Sequence, residues 1–241
     1  MFRTIQVQAV LFTSDAHFRG TRFMSHFLSS KWGELFNGEP ASFEPPTGMP
    51  IRGYPLAILK SDDSLTRLIV STERIDFYRN VADESSVDVA GHLKTATELF
   101  TEYHEQVSGK AARAAVMLIR SCESEKPART ISNLFCREKW LDGPMNRAKD
   151  FEIAAMKQYQ LAATIDVNSW FRCKSGQMVK ADQGKIERRA ILVEQDLNTT
   201  MDRANTLGLS HDEIRKFFEL APADLDMTFG LYFRDQSEAV R

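Results

Sequence analysis

The chain of 241 residues lacks the patterns that name the commonest activities. It contains no G-x-x-x-x-G-K-[ST], no G-x-G-x-x-G and no G-x-S-x-G, so phosphate-cradling loops and the strained nucleophile elbow are missing. Cysteine is scarce and odd in number. Cys122, Cys136 and Cys173 include no C-x-x-C pair, which disfavours both a disulfide framework and a thiolate zinc site. No apolar run approaches the roughly 18 residues needed to span a bilayer. The opening MFRTIQVQAVLFTSDAHF has too short an apolar stretch for a secretory signal. Neither sign of charge dominates: Lys+Arg 31 against Asp+Glu 33 leave a formal charge of −2, which disfavours charge-driven disorder and a uniformly cationic coat for nucleic acid. These absences imply a cytoplasmic protein with reduced thiols that requires no cofactor and is not embedded in a membrane.

What is present is a series of periodic segments. Ile5 to Phe12 alternates as a strand. Thr21 to Phe36 has helical spacing, with Phe23 and Phe27, Met24 and Leu28, and Trp32 and Phe36 each four apart, weakened at its end by Gly33. Asn37 to Pro55 is a long connection in which four of the eight prolines precede Tyr54. Arg67 to Tyr78 then predicts one strand, Asp88 to Val107 a helix, and Ala112 to Ser121 a strand apolar enough to be central. The second part predicts a short helix at Thr130 to Glu138, an irregular stretch through Gly143-Pro144, and a long strand from Tyr159 to Arg172. Along that strand Tyr159, Leu161, Ala163, Ile165, Val167 and Phe171 share one face. Lys174 to Lys185 predicts a hairpin tip and Ile186 to Leu197 its returning partner. A last helix begins at Ser210, where Ser210 and Glu213 have capping-box spacing, and Pro222 ends or kinks it.

Strands bracketing helices in both halves predict an α+β protein: a mainly antiparallel sheet with helices on one face, in a duplicated ferredoxin-like or extended arrangement. The halves divide at 1–125 and 126–241, the second carrying the long basic hairpin, and together they read as one continuous globular unit. The Tyr54-Pro55 pair, the long strand with Asp166, the Ile191-Leu192-Val193-Glu194-Gln195-Asp196 strand and the closing helix from Ser210 to about Leu220 resemble a family of sporadically distributed, uncharacterised bacterial proteins. By order of elements the resemblance covers most of the chain. It implies this duplicated ferredoxin-like fold and transfers no activity.

The candidate sites follow from residue chemistry. His92 and His104 lie twelve apart on one helix, about 120° apart around its axis, and so cannot share a ligand. Asp15 and His17 could ligate a metal but read more simply as a loop pair. Asp166, Glu194 and Asp196, on two strands expected to pair, form the best carboxylate set for a metal-dependent nuclease, although the strand-borne Asp/Glu-x-Lys spacing is missing. Arg172, Lys174, Lys180, Lys185, Arg188 and Arg189 give the hairpin a positive excess over Asp182 and Glu187, beside Trp170 and Phe171. Such a hairpin either tracks a phosphate backbone or keeps an edge from aggregating. Two functions remain open: a non-enzymatic protein-interaction or scaffolding component of a bacterial complex, or a component that binds or processes nucleic acid through residues 172–189. Self-association is compatible with both.

Overall fold

Apolar and polar side chains alternate along β1 (Arg3–Thr13), and this strand becomes the middle member of a nine-stranded sheet. The computed structural model describes residues 1–13, 20–44, 53–82, 85–107, 111–137, 141, 148–179, 186–200 and 208–233. The other strands are β2 (Ala41–Ser42), β3 (Pro55–Lys60), β4 (Thr66–Ser71), β5 (Arg74–Asn80), β6 (Ala111–Glu123), β7 (Glu152–Leu161), β8 (Ile165–Val179) and β9 (Ile186–Thr199). Their order is β2-β3-β4-β5-β1-β6-β9-β8-β7, and every neighbouring pair is antiparallel. Four helices described over their length accompany them: α1 (Gly20–Ser29), α2 (Val89–Val107), α3 (Pro127–Phe135) and α4 (His211–Phe233). The protein is therefore α+β.

All four helices lie on one face. Val7, Ala9 and Leu11 of β1, Leu68 and Val70 of β4, Ile75 and Phe77 of β5, and Val116 and Leu118 of β6 meet Phe23 and Phe27 of α1. The same cluster takes in Leu93, Leu99, Phe100 and Tyr103 of α2, and Phe217 and Phe218 of α4. Burying each of these large side chains contributes about 1.5–3 kcal/mol. A second cluster joins Ile131 of α3 and Phe233 of α4 to Phe171, Cys173, Ile191 and Val193 of β8 and β9. The sheet itself links the two parts of the chain, because β6 pairs with β9 from Ala115↔Asn198 to Glu123↔Ala190. Among the described elements, apart from the two-residue β2 and the 3₁₀ turn, the parts repeat one order when divided between α2 and β6 instead of at 125. β1-α1-β3-β4-β5-α2 and β6-α3-β7-β8-β9-α4 each run strand, helix, three-strand meander, helix, and β3-β4-β5-β1 in the sheet is mirrored by β7-β8-β9-β6. This is a duplication, though not of the ferredoxin-like β-α-β-β-α-β order.

Several expected elements differ in detail. The helix expected over 21–36 stops at Ser29; Ser30 then caps a 3₁₀ turn, Lys31–Gly33, which still buries Trp32. The connection 37–55 yields the two-residue β2, and β3 follows it directly. The strand expected over 67–78 is a hairpin, β4 and β5, turning at Thr72-Glu73. The strand expected over 159–172 is also a hairpin. Leu161 pairs with Ile165 across a turn in which Ala162 and Ala163 adopt φ of 47° and 56°, so Ala163 is exposed instead of core-facing. Pro222 does not end α4, which runs on to Phe233 because Leu225, Thr228 and Phe233 bury the far half against the sheet. Gly143-Pro144, Asp15 and His17 lie outside the described residues.

Candidate functional site

At the outer end of β8 and β9, a cavity of about 600 Å³ opens on the helix-bearing face. Ser175, Gly176 and Gln177 of β8 and Arg189 of β9 form one wall, and Gln177 and Arg189 are register partners. The opposite wall is the start of α3. Pro127 begins that helix because it needs no N–H there and its fixed φ suits the first turn. Lys126 precedes it without a side-chain cap, and no acidic residue occupies the first turn, so the partial positive charge of the helix end is not offset locally. Ala148, Lys149 and Asp150 close the cavity, leading into Phe151, whose N–H donates to Ser175 Oγ at 3.1 Å.

The cavity is cationic. Lys126, Arg129, Lys149 and Arg189 line it against one carboxylate, Asp150, and none of the four cations forms an ion pair among the described residues. Four like charges around one solvent-filled space favour an anion, and a cavity of this size suits a ligand of a few rings or a short stretch of chain.

The residues singled out in the sequence are divided between two faces. Arg189 is in the cleft. Arg172 and Lys174 project from the opposite, helix-free face, where Lys174 pairs closely with Glu194 and the Arg172 guanidinium lies 3.9 Å from the same carboxylate. Arg172 also lies 5.4 Å from the Trp170 ring centre. Arg188 pairs with Glu123 of β6. Lys180 and Lys185 lie outside the described residues. Among the described residues of the hairpin, Arg172, Lys174 and Arg188 thus have carboxylate neighbours on the helix-free side, whereas Arg189 forms no ion pair at the cleft.

Asp166, Glu194 and Asp196 share that helix-free face without converging. The Thr200 N–H donates to the Asp166 carbonyl, whereas Asp196 is the register partner of Trp170. Asp166 and Asp196 therefore sit four strand positions apart, roughly 13 Å at 3.3 Å per residue. Glu194 is held by Lys174, and Asp196 accepts from Asn198 Nδ2 at 3.0 Å. Among the described residues no group of three His, Cys, Asp or Glu side chains could hold a metal ion.

Other titratable groups are accounted for by packing. Burial pushes the Cys173 thiol up to about 12, and Cys122 and Cys136 are also free thiols. Asp76 is buried on the helix-free face, where it accepts from Gln8 Nε2 at 2.7 Å and pairs with Arg74 at 2.9 Å. Burial still raises its pKa above the ordinary carboxylate value. One pairing escaped the spacing argument. His104 does meet a histidine, His211 at the start of α4, with Nδ1 and Nε2 2.9 Å apart. Lys126, Arg129 and Lys149 were equally invisible in the sequence, since no local pattern announces that a helix start and a connecting segment will flank one strand end.

The chain matches no protein-family model and no curated protein. Among the described residues, no helix is long and apolar enough to cross a membrane.

Proposed function

We propose that this protein is a non-enzymatic binding component that grips nucleic acid by its phosphate backbone in the cationic cleft. The observation that carries the reading is the convergence of Lys126, Arg129, Lys149 and Arg189, without ion-pair partners among the described residues, on one cavity. Phosphates entering the cleft relieve the mutual repulsion of these cations and release condensed counterions. None of the described lining residues is aromatic, so the grip falls on the backbone and is tolerant of base sequence.

The test is fluorescence anisotropy of a labelled single-stranded oligonucleotide as a function of salt. Four phosphate contacts predict that log K falls with log salt at a slope of about −3, from roughly 0.7 per contact. Replacing both Arg129 and Arg189 by Ala should about halve that slope and leave the fold unchanged, since both side chains are exposed. Binding that is undetectable at low salt, or that keeps its slope in the double variant, overturns the reading.

A further inference from the structure

The two edges of the sheet are unlike. β2 closes one edge with two residues, and so short a strand offers little for another chain to pair with. The other edge is β7, ten residues long, and among the described residues no backbone hydrogen bond reaches its outer side. The Ser175 N–H bonds to the Phe151 carbonyl, so odd-numbered positions face β8 and the even-numbered ones, 152 to 160, direct N–H and C=O outward.

Exposed apolar side chains lie on both faces of the same edge, Met156 on the helix-free face beside its register partner Trp170 and two residues of α4 on the helix-bearing face. Met156 of β7 is 50% exposed, and Met227 and Leu231 of α4 are each 58% exposed. Asp224, Met227, Thr228 and Leu231 follow i, i+3, i+4, i+7 spacing and share one side of α4, and Asp224 fixes that side above β7 through a short bond from Tyr159 Oη. Among the described residues, three of the six exposed large hydrophobics thus flank this edge strand.

We infer that β7 pairs antiparallel with β7 of a second copy of this chain, joining two sheets across a two-fold axis through Met156. Such a pair must match residues of equal parity to keep both helix layers on one side, which leaves few registers. Centring on Lys157 sets that charge against itself, which is destabilising. Centring on Met156 sets Met156 against its copy, Lys157 against Ala155, Ile153 against Tyr159, Ala154 against Gln158 and Glu152 against Gln160. No like charges meet, the outward backbone groups of 152–160 are satisfied, and Met156 is covered.

The test is the mass of the intact protein in solution, by light scattering after size exclusion. The expected result is twice the chain mass, falling to the chain mass for Met156→Lys with an unchanged circular dichroism spectrum, since an exposed side chain tolerates lysine in the single chain. Register is checked separately with Met156→Cys under mild oxidation, in a background with Cys122 and Cys136 replaced by Ser. The cross-linked peptide should join position 156 to itself, because directly opposed residues lie within disulfide reach. A single-chain mass for the unaltered protein, or a dimer that survives Met156→Lys, overturns the inference. Nucleic-acid binding is measured on other residues, so failure of either proposal leaves the other standing.

Discussion

Acidification should weaken this protein through one residue, His92. Its ring lies in the core side of α2, stacked on Phe77 with centres 4.3 Å apart and planes 9° apart, and Nε2 is 3.1 Å from the Phe77 carbonyl oxygen. That contact makes Nε2 the protonated donor of a neutral ring. Burial is the main force pushing the pKa down to about 4; the bond to Phe77 opposes it and the positive charge of Arg79 adds to it. An unfolded histidine titrates near 6.5, so between pH 6.5 and 4 the unfolded chain binds the extra proton and the folded chain does not. The stability from a neutral His92 is complete above pH 6.5 and lost as pH falls through that window. The gap of about 2.5 pH units corresponds to about 3 kcal/mol, some 2 kcal/mol of it gone by pH 5. His92→Gln keeps an amide donor for Phe77 and cannot titrate. Urea unfolding of both proteins at pH 7.5, 6, 5 and 4 should show the unaltered protein losing about 3 kcal/mol more than the variant. Parallel losses would refute the reasoning and place the acid sensitivity elsewhere.

Two further substitutions probe the backbone. Ala162 and Ala163 hold left-handed φ values in the β7–β8 turn, a conformation that costs an L-residue about 1 kcal/mol, so Ala163→Gly should raise the thermal midpoint; a lower midpoint would contradict this. Gly33→Ala should destabilise by about 1–3 kcal/mol in chemical denaturation, because a Cβ there would lie 2.4 Å from the Leu28 carbonyl oxygen, which is fixed backbone. An unchanged denaturation midpoint would mean that the 3₁₀ turn shifts freely.

The two hairpins that read as single strands explain how far the sequence could be followed. In β4 the core-facing residues are Leu68 and Val70, in β5 they are Ile75 and Phe77, and the two-residue turn between them switches parity. That switch was a legible sign of the hairpin. The turn at 162–164 has an odd number of residues, so Leu161 and Ile165 keep the same parity and the alternation runs through it unbroken; no glycine, proline or asparagine marks it. The helices were plainer because their apolar spacing persists, even where Ser30 interrupts the first and Pro222 lies within the last. β3 was hidden by the prolines before it, although Leu56-Ala57-Ile58-Leu59 is a short buried run. Within the site, the hairpin arginines could be read from local charge. Their division between faces follows from the period-two alternation of the strands, their neutralisation depends on pairing with Glu194 and Glu123, and the cleft depends on residues brought to the strand end by α3.

The central place of β1 also shapes how the chain reaches its native state. Ala9 has Phe77 on one side and Val116 on the other, so neither neighbour exists when β1 leaves the ribosome. At about 10 residues per second, β6 follows roughly ten seconds later. Both hydrogen-bonding sides of this apolar strand are open until β5 emerges, roughly seven seconds after β1, and one side stays open until β6 arrives, so the nucleus of the sheet cannot close until long-range contacts form. Folding during synthesis is therefore gated by the arrival of β6, and slowing translation before residue 123 lengthens the time in which β1 is open to aggregation or chaperone capture.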